Sequence, residues 1–96
     1  MIDVRETEAF FEWLSDLRDA RAKAEVARRV RRLALGNPGD VKPVGEGVSE
    51  LRIRYGPGYR VYYVQRGNLL IVLLCGGDKD SQAKDIALAL TLAKEV

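Results

Sequence analysis

Three runs, Val48–Tyr55, Tyr59–Gln65 and Leu69–Cys75, follow one another with only Gly56-Pro57-Gly58 and Arg66-Gly67-Asn68 between them. Joints this short leave no room for a crossover, so consecutive runs must turn back on each other as antiparallel hairpins. Gly67-Asn68 supplies residues that tolerate positive φ, and the simple outcome is a meander. Leu69–Cys75 is apolar on both faces and is expected to be the central, covered strand. Val48–Tyr55 alternates and is expected to keep one face in water.

The chain before the meander reads as helical. Ile2–Arg5 is a candidate edge strand, and Thr7 can cap a helix with Phe10, Trp13, Leu14 and Leu17 on one stripe. In a second helix, jointed to the first near Asp19-Ala20, Val26, Val30 and Leu33 share a face. Arg28, Arg29, Arg31 and Arg32 occupy its other faces, and Gly36 is placed to close it in a left-handed cap. Gly36-Asn37-Pro38-Gly39-Asp40 then breaks the chain. After Gly76-Gly77, Asp78, Asp80 and Ser81 offer caps for a final helix in which Ile86, Leu90 and Ala93 share a side. The expected order is β-α-α-β-β-β-α, an α+β class, in one domain spanning 1–96. Such a hairpin of helices must lay its apolar stripes on the sheet.

Charge is distributed unevenly. Residues 3–20 carry two basic and six acidic side chains, 21–35 six basic and one acidic, and 41–75 five basic and two acidic. A local basic surface attracts phosphate even when the whole chain has a net charge of only +2. With no histidine and one cysteine, a structural zinc site and any histidine-based triad are excluded. Gly76-Gly77-Asp78-Lys79 lacks the spacing of a phosphate-binding loop, and carboxylates are not paired as a two-metal centre needs. Cys75 reads as a buried, inert thiol. The longest apolar run, Leu69–Cys75, is far below the ~20 residues that span a bilayer, and no signal-peptide pattern opens the chain. No metal, cofactor or membrane is expected, and the cytoplasm is the expected location.

What remains is cationic and phenolic: Arg52, Arg54, Tyr55, Tyr59, Arg60, Tyr62, Tyr63 and Lys79. Arg52 and Arg54 lie two residues apart and share one face of a strand, where they can converge on a polyanion or simply face water. Arg60 opens the next strand, aimed either at phosphate or at Glu50 across the hairpin. Tyr62 and Tyr63 face opposite sides, so one of them belongs to the core. Lys79 is either a free cation or a salt-bridged cap residue. Arginines grip phosphate through charge-assisted hydrogen bonds and stabilise charge developing on a phosphorane, while tyrosines stack on unpaired bases. RNA carries its own nucleophile in the 2′-hydroxyl, so cleavage needs orientation, charge stabilisation and proton transfer but no metal, and a metal-free ribonuclease is chemically possible.

Several blocks occur together in order: Phe11-Glu12-Trp13-Leu14, Leu35-Gly36-Asn37, Glu50-Leu51-Arg52, Gly56-Pro57-Gly58-Tyr59-Arg60-Val61-Tyr62, and Gly76-Gly77-Asp78-Lys79 with Gln82 and Asp85-Ile86. Together they resemble the RelE/ParE toxin superfamily, most nearly its HigB-like, phage-derived Gp49-like "addiction module killer protein" branch. The resemblance implies a RelE-like fold, a helical hairpin on a small curved sheet. It also implies a type II toxin that cuts messenger RNA on the ribosome. It further implies a cognate antitoxin, HigA-like with a helix-turn-helix DNA-binding domain, and a complex that represses its own operon. Carried over by position, Arg54, Arg60 and Lys79 are the expected catalytic residues, and Arg52, Tyr59, Tyr62 and Gln82 the expected RNA contacts. Arg28 and Arg32 are the expected antitoxin contacts. Where many relatives use histidine, or a tyrosine on the last helix, as acid or base, this chain has neither after Tyr63. The same scaffold in the ParE-like branch poisons DNA gyrase, and a non-catalytic nucleic-acid-binding module is the other alternative; basic residues at 52, 54 and 60 favour RNA cleavage.

Overall fold

Thr7 decides where the first strand gives way to the first helix. Its hydroxyl accepts from the Phe10 backbone N–H at 3.1 Å and donates to the carbonyl of Leu74 at 2.5 Å, capping the helix and tying it to the sheet. The computed structural model describes residues 1–96. Strand β1 (Asp3–Glu6) leads into α1 (Glu8–Asp16) and α2 (Ala20–Ala34). Then come β2 (Val41–Gly45), β3 (Val48–Ile53), β4 (Tyr59–Arg66) and β5 (Leu70–Gly77), a 3₁₀ turn at Lys79–Ser81 and α3 (Gln82–Ala93). The architecture is α+β, as expected, and compatible with a RelE-like fold.

The helical hairpin forms where the sequence places it, except that α1 ends at Asp16 and Leu17, expected on its stripe, is the extended residue that closes it. Asp19 accepts from the N–H groups of Arg21 and Ala22 and starts α2. Gly36, at φ +88°, ends α2 with bonds from Gly36 N to Leu33 O and from Asn37 N to Arg32 O. Val26 and Leu33 are fully buried, and Phe10 joins them from α1.

The sheet has five strands in the order β1-β5-β4-β3-β2, antiparallel except that β1 runs parallel to β5. Strand β2 was not expected, because Pro43 and the Gly45-Glu46-Gly47 turn read as loop. It is an edge strand, the place where a missing N–H is tolerated, and it pairs with β3 through a register shift between Pro43 and Gly45. Glu46 and Gly47, both at positive φ, form the tight turn between them. Two further expectations are corrected. The middle of the sheet is β4; β5 is second from the edge but covered on both faces, by α1 and by α3. And β3 does not keep a face in water, because Val48 and Glu50 are buried beneath α3 while Leu51 and Ile53 are buried beneath the hairpin.

Two cores result, one on each face of the sheet. Phe10, Val26, Leu33, Leu51, Ile53, Val61, Tyr63, Ile71 and Leu73 fill the hairpin side. Val48, Tyr62, Val64, Val72, Leu74, Cys75 and Ala89 fill the α3 side. Tyr62 and Tyr63 do face opposite ways, and both are core.

The end of β5 shows why two glycines stand together. A Cβ on Gly76 would lie 2.3 Å from Trp13 Cε3, and one on Gly77 would lie 1.7 Å from Asp85 Oδ2. The indole therefore lies flat on the strand from one side and the α3 carboxylate from the other. This brings the start of α3 down beside β4.

Candidate nucleic-acid interface

Helix α3 covers only part of its face of the sheet. The register places Val48 opposite Val64, Glu50 opposite Tyr62 and Arg52 opposite Arg60, so these side chains form successive rows on one face. The apolar row lies under α3, whereas the Arg52–Arg60 row lies beyond its N-terminus and opens to solvent. There a cleft of about 250 Å³ is lined by Asp40, Arg52, Arg54, Gly58, Tyr59 and Arg60.

Each arginine is held differently. Arg54 is 87% exposed and its Nε donates to Asp40 Oδ2 at 3.2 Å, a surface pair that phosphate can displace at little cost. Arg52 donates through Nε to Glu50 Oε1 at 3.0 Å. Arg60 is only 15% exposed; its Nη1 donates to Gly58 O at 2.7 Å, and its Nε lies 3.6 Å from Glu50 Oε2 with no hydrogen-bond partner of its own. Arg60 therefore lines the cleft and is at the same time the ion-pair partner of Glu50.

Glu50, which the sequence offered only as a partner for Arg60, holds more than that one arginine. It is fully buried, and Oε2 accepts from Gln82 Nε2 at 2.8 Å and from the Tyr62 hydroxyl at 3.0 Å. Burial alone would raise its pKa. The hydrogen bonds from Gln82, Arg52 and Tyr62 and the charge of Arg60 outweigh this and hold the carboxyl below its ordinary value, as the anion. Tyr62 is pushed in the opposite direction, by burial and by the carboxylate it faces.

One expected RNA contact is thereby corrected. Tyr62 is fully buried and cannot stack on a base; it is a ligand of Glu50. Gln82 stands behind the arginines, its amide on Glu50, and does not line the cleft. Tyr59 does line it, edge-on to Trp13 at 6.2 Å between ring centroids. Lys79 is exposed and in no ion pair; its backbone N–H bonds Pro57 O at 3.4 Å, which sets it beside the Gly56-Pro57-Gly58 turn at the cleft rim.

The arginine run of α2 splits by role. Arg29 is buried, not solvated: Nη1 donates to Arg52 O, and Nη2 to Pro38 O at 2.8 Å and Asp40 O at 3.4 Å. It pins the loop carrying Asp40 against β3 and so builds a cleft wall. Arg28 is exposed and pairs with Glu25 at 2.9 Å, and Arg32 is half-buried near Gly39. A larger concavity of about 370 Å³ lies among β1, α1 and α2, lined by Val4, Phe10, Leu14, Val26, Val30 and their neighbours. It is apolar and gathers no reactive groups, so its chemistry is that of a contact surface. No helix is long and apolar enough to cross a membrane.

The profile of the phage-derived Gp49-like proteins matches residues 12–94, which include every side chain of the cleft. The chain belongs to the Gp49-like family. That family is related to toxin–antitoxin systems and is associated with their toxins, for which an antitoxin is the implied partner. An uncharacterized protein of Haemophilus influenzae is 50% identical over 95 residues, 99% of this chain and 96% of its own. No solved structure matches.

Proposed function

We propose that this Gp49-like protein is the toxin of a type II toxin–antitoxin pair of the RelE/HigB kind, a metal-independent endoribonuclease acting on messenger RNA at the ribosome. The observation that carries the reading is the convergence of Arg52, Arg54 and Arg60 on one open cleft with Tyr59 at its wall. The 2′-hydroxyl, giving up its proton to solvent, attacks phosphorus and the P–O5′ bond breaks, leaving a cyclic phosphate and a 5′-hydroxyl. Arg60, with guanidinium N–H groups unspent in a sheltered site, stabilises the charge on the phosphorane. Arg54 exchanges Asp40 for a phosphate oxygen, Arg52 grips the neighbouring phosphate, Tyr59 stacks on a base, and Lys79 supplies a proton to the leaving oxygen.

In this reading the antitoxin, HigA-like with a helix-turn-helix domain, covers α2 at Arg28 and Arg32 and the apolar groove beside it. The complex represses its own operon, and the toxin works in the cytoplasm. Charge reversal at Arg28 and Arg32 is expected to weaken the complex without touching cleavage.

Induced expression in a bacterium with 5′-end mapping of translated messages tests the function. Internal cuts that disappear with Arg60→Ala, or when translation is blocked, are expected. Growth arrest with intact messages and broken DNA would transfer the reading to gyrase.

A further inference from the structure

Glu50 has no exposed surface and is held by groups from three elements: Arg52 of its own strand, Tyr62 and Arg60 of β4, and Gln82 at the first residue of α3. Stability alone does not explain a charge in that place, because a buried ion pair replaced by apolar residues of similar volume often leaves a fold as stable or more so. Nor can Glu50 reach substrate, since Arg52 and Arg60 stand between it and the cleft. What the carboxylate does is hold the two guanidinium groups from behind, Arg52 by a hydrogen bond from Nε and Arg60 by charge across 3.6 Å, while Tyr62 and Gln82 keep the carboxylate from turning. We infer that Glu50 is the positioning residue of the cleft, aiming the outer N–H groups of Arg52 and Arg60 at adjacent oxygens of a nucleic-acid phosphate. The inference rests on the reading of the cleft as an RNA-phosphate site.

The geometry gives a test in which position and charge act in opposite directions. Glu50→Gln keeps the side-chain shape and removes a negative charge from behind a cationic cleft. Coulomb attraction alone makes such a variant bind a polyanion at least as well, with an equal or steeper dependence on salt. Misaimed guanidinium groups instead release phosphates and flatten the plot of log Kd against log salt, by ~0.7 for each phosphate no longer neutralised on a single strand. The probe is a fully 2′-O-methylated RNA oligonucleotide, which cannot be cut, titrated across a salt series with thermal melting as the check on folding.

A shallower slope for Glu50→Gln than for the parent chain is the expected result, together with displacement of the Arg52 Nε–H resonance and about a 10²-fold loss of ribosomal mRNA cleavage. An unchanged or steeper slope overturns the inference. Should Glu50→Gln fail to fold, Gln82→Ala carries the same test, since it removes one of the two hydrogen bonds that Glu50 Oε2 accepts and leaves every charge in place; a parental slope there overturns the inference equally. Because the oligonucleotide is never cleaved, a parent chain that binds it but cuts no message defeats the nuclease reading while the positioning role is still decided by the slopes.

Discussion

Replacing Gly76 by Ala sets a methyl group against the only tryptophan of the chain. The new Cβ would lie 2.3, 2.4 and 2.6 Å from Trp13 Cε3, Cζ3 and Cδ2. Carbon atoms rest at roughly 3.5–4.0 Å, so the indole must retreat by about 1 Å or more. Phe10 at 5.8 Å and Tyr59 at 6.2 Å between ring centroids restrict that retreat. Overpacking of this kind costs ~1–3 kcal/mol, and with neighbours on both sides the upper end, about 3 kcal/mol, is expected. For a domain of this size each kcal/mol lowers Tm by ~4–8 °C, so Gly76→Ala should melt roughly 12–24 °C below the parent. Thermal denaturation followed by circular dichroism measures this, and the emission of Trp13 reports its displacement. Trp13→Leu in the Gly76→Ala background should recover part of the loss, giving a favourable coupling in the double-mutant cycle. A Gly76→Ala chain with parental melting and parental emission would refute the packing argument, and with it the account of how Tyr59 is held at the cleft.

Three other outcomes are expected. Arg29→Met strips three backbone carbonyls of a charged donor and should cost about 3 kcal/mol in urea unfolding, with faster amide exchange at Arg52, whose N–H bonds Asp40 O; Arg28→Ala should leave the midpoint unchanged. Glu50 titrates lower in the fold than its ordinary 4.5, so its stabilising contribution is complete above that value and is lost as pH falls through the depressed folded pKa; Glu50→Gln should therefore show a smaller drop in Tm between about pH 5 and pH 3 than the parent. Burial, with a smaller contribution from Asp85, pushes the Cys75 thiol up from 9.0 to about 12, so a disulfide reagent at neutral pH should label it only as fast as the chain opens.

The residues explain which parts of this architecture the sequence made readable. The cap at Thr7, the joint near Asp19-Ala20, the left-handed glycine at 36 and the two short joints of the meander are local devices, and each produced the element it signals. Strand β2 escaped because Pro43 and the glycines around Glu46 are loop signals in isolation and become a strand only when β3 offers an edge. Arg52, Arg54 and Arg60 were legible as a set because alternation and turn geometry place them together, and Tyr59, on the opposite face of β4, reaches the cleft from the hairpin side. Glu50 was not, because its polar place in an alternating strand reads as wet, and it is covered by Gln82, 32 residues further on. Arg29 was lost in the same way among exposed arginines of one helix. Arg29 stands at helical spacing on the stripe of Ala22, Val26 and Leu33, but its charge reads as solvated, and the carbonyls that satisfy it come from other segments.

The central claim is that Arg60 stabilises charge on a phosphate being cut. Its most direct test is single-turnover cleavage of a message held on purified ribosomes, comparing the parent chain with Arg60→Ala and with Arg60→Lys. Removal of one such donor costs about 3–4 kcal/mol, so Arg60→Ala should cut ~10²–10³ times more slowly while still binding the ribosome, with Arg60→Lys in between. Equal rates for Arg60→Ala and the parent, from folded protein, would contradict the account.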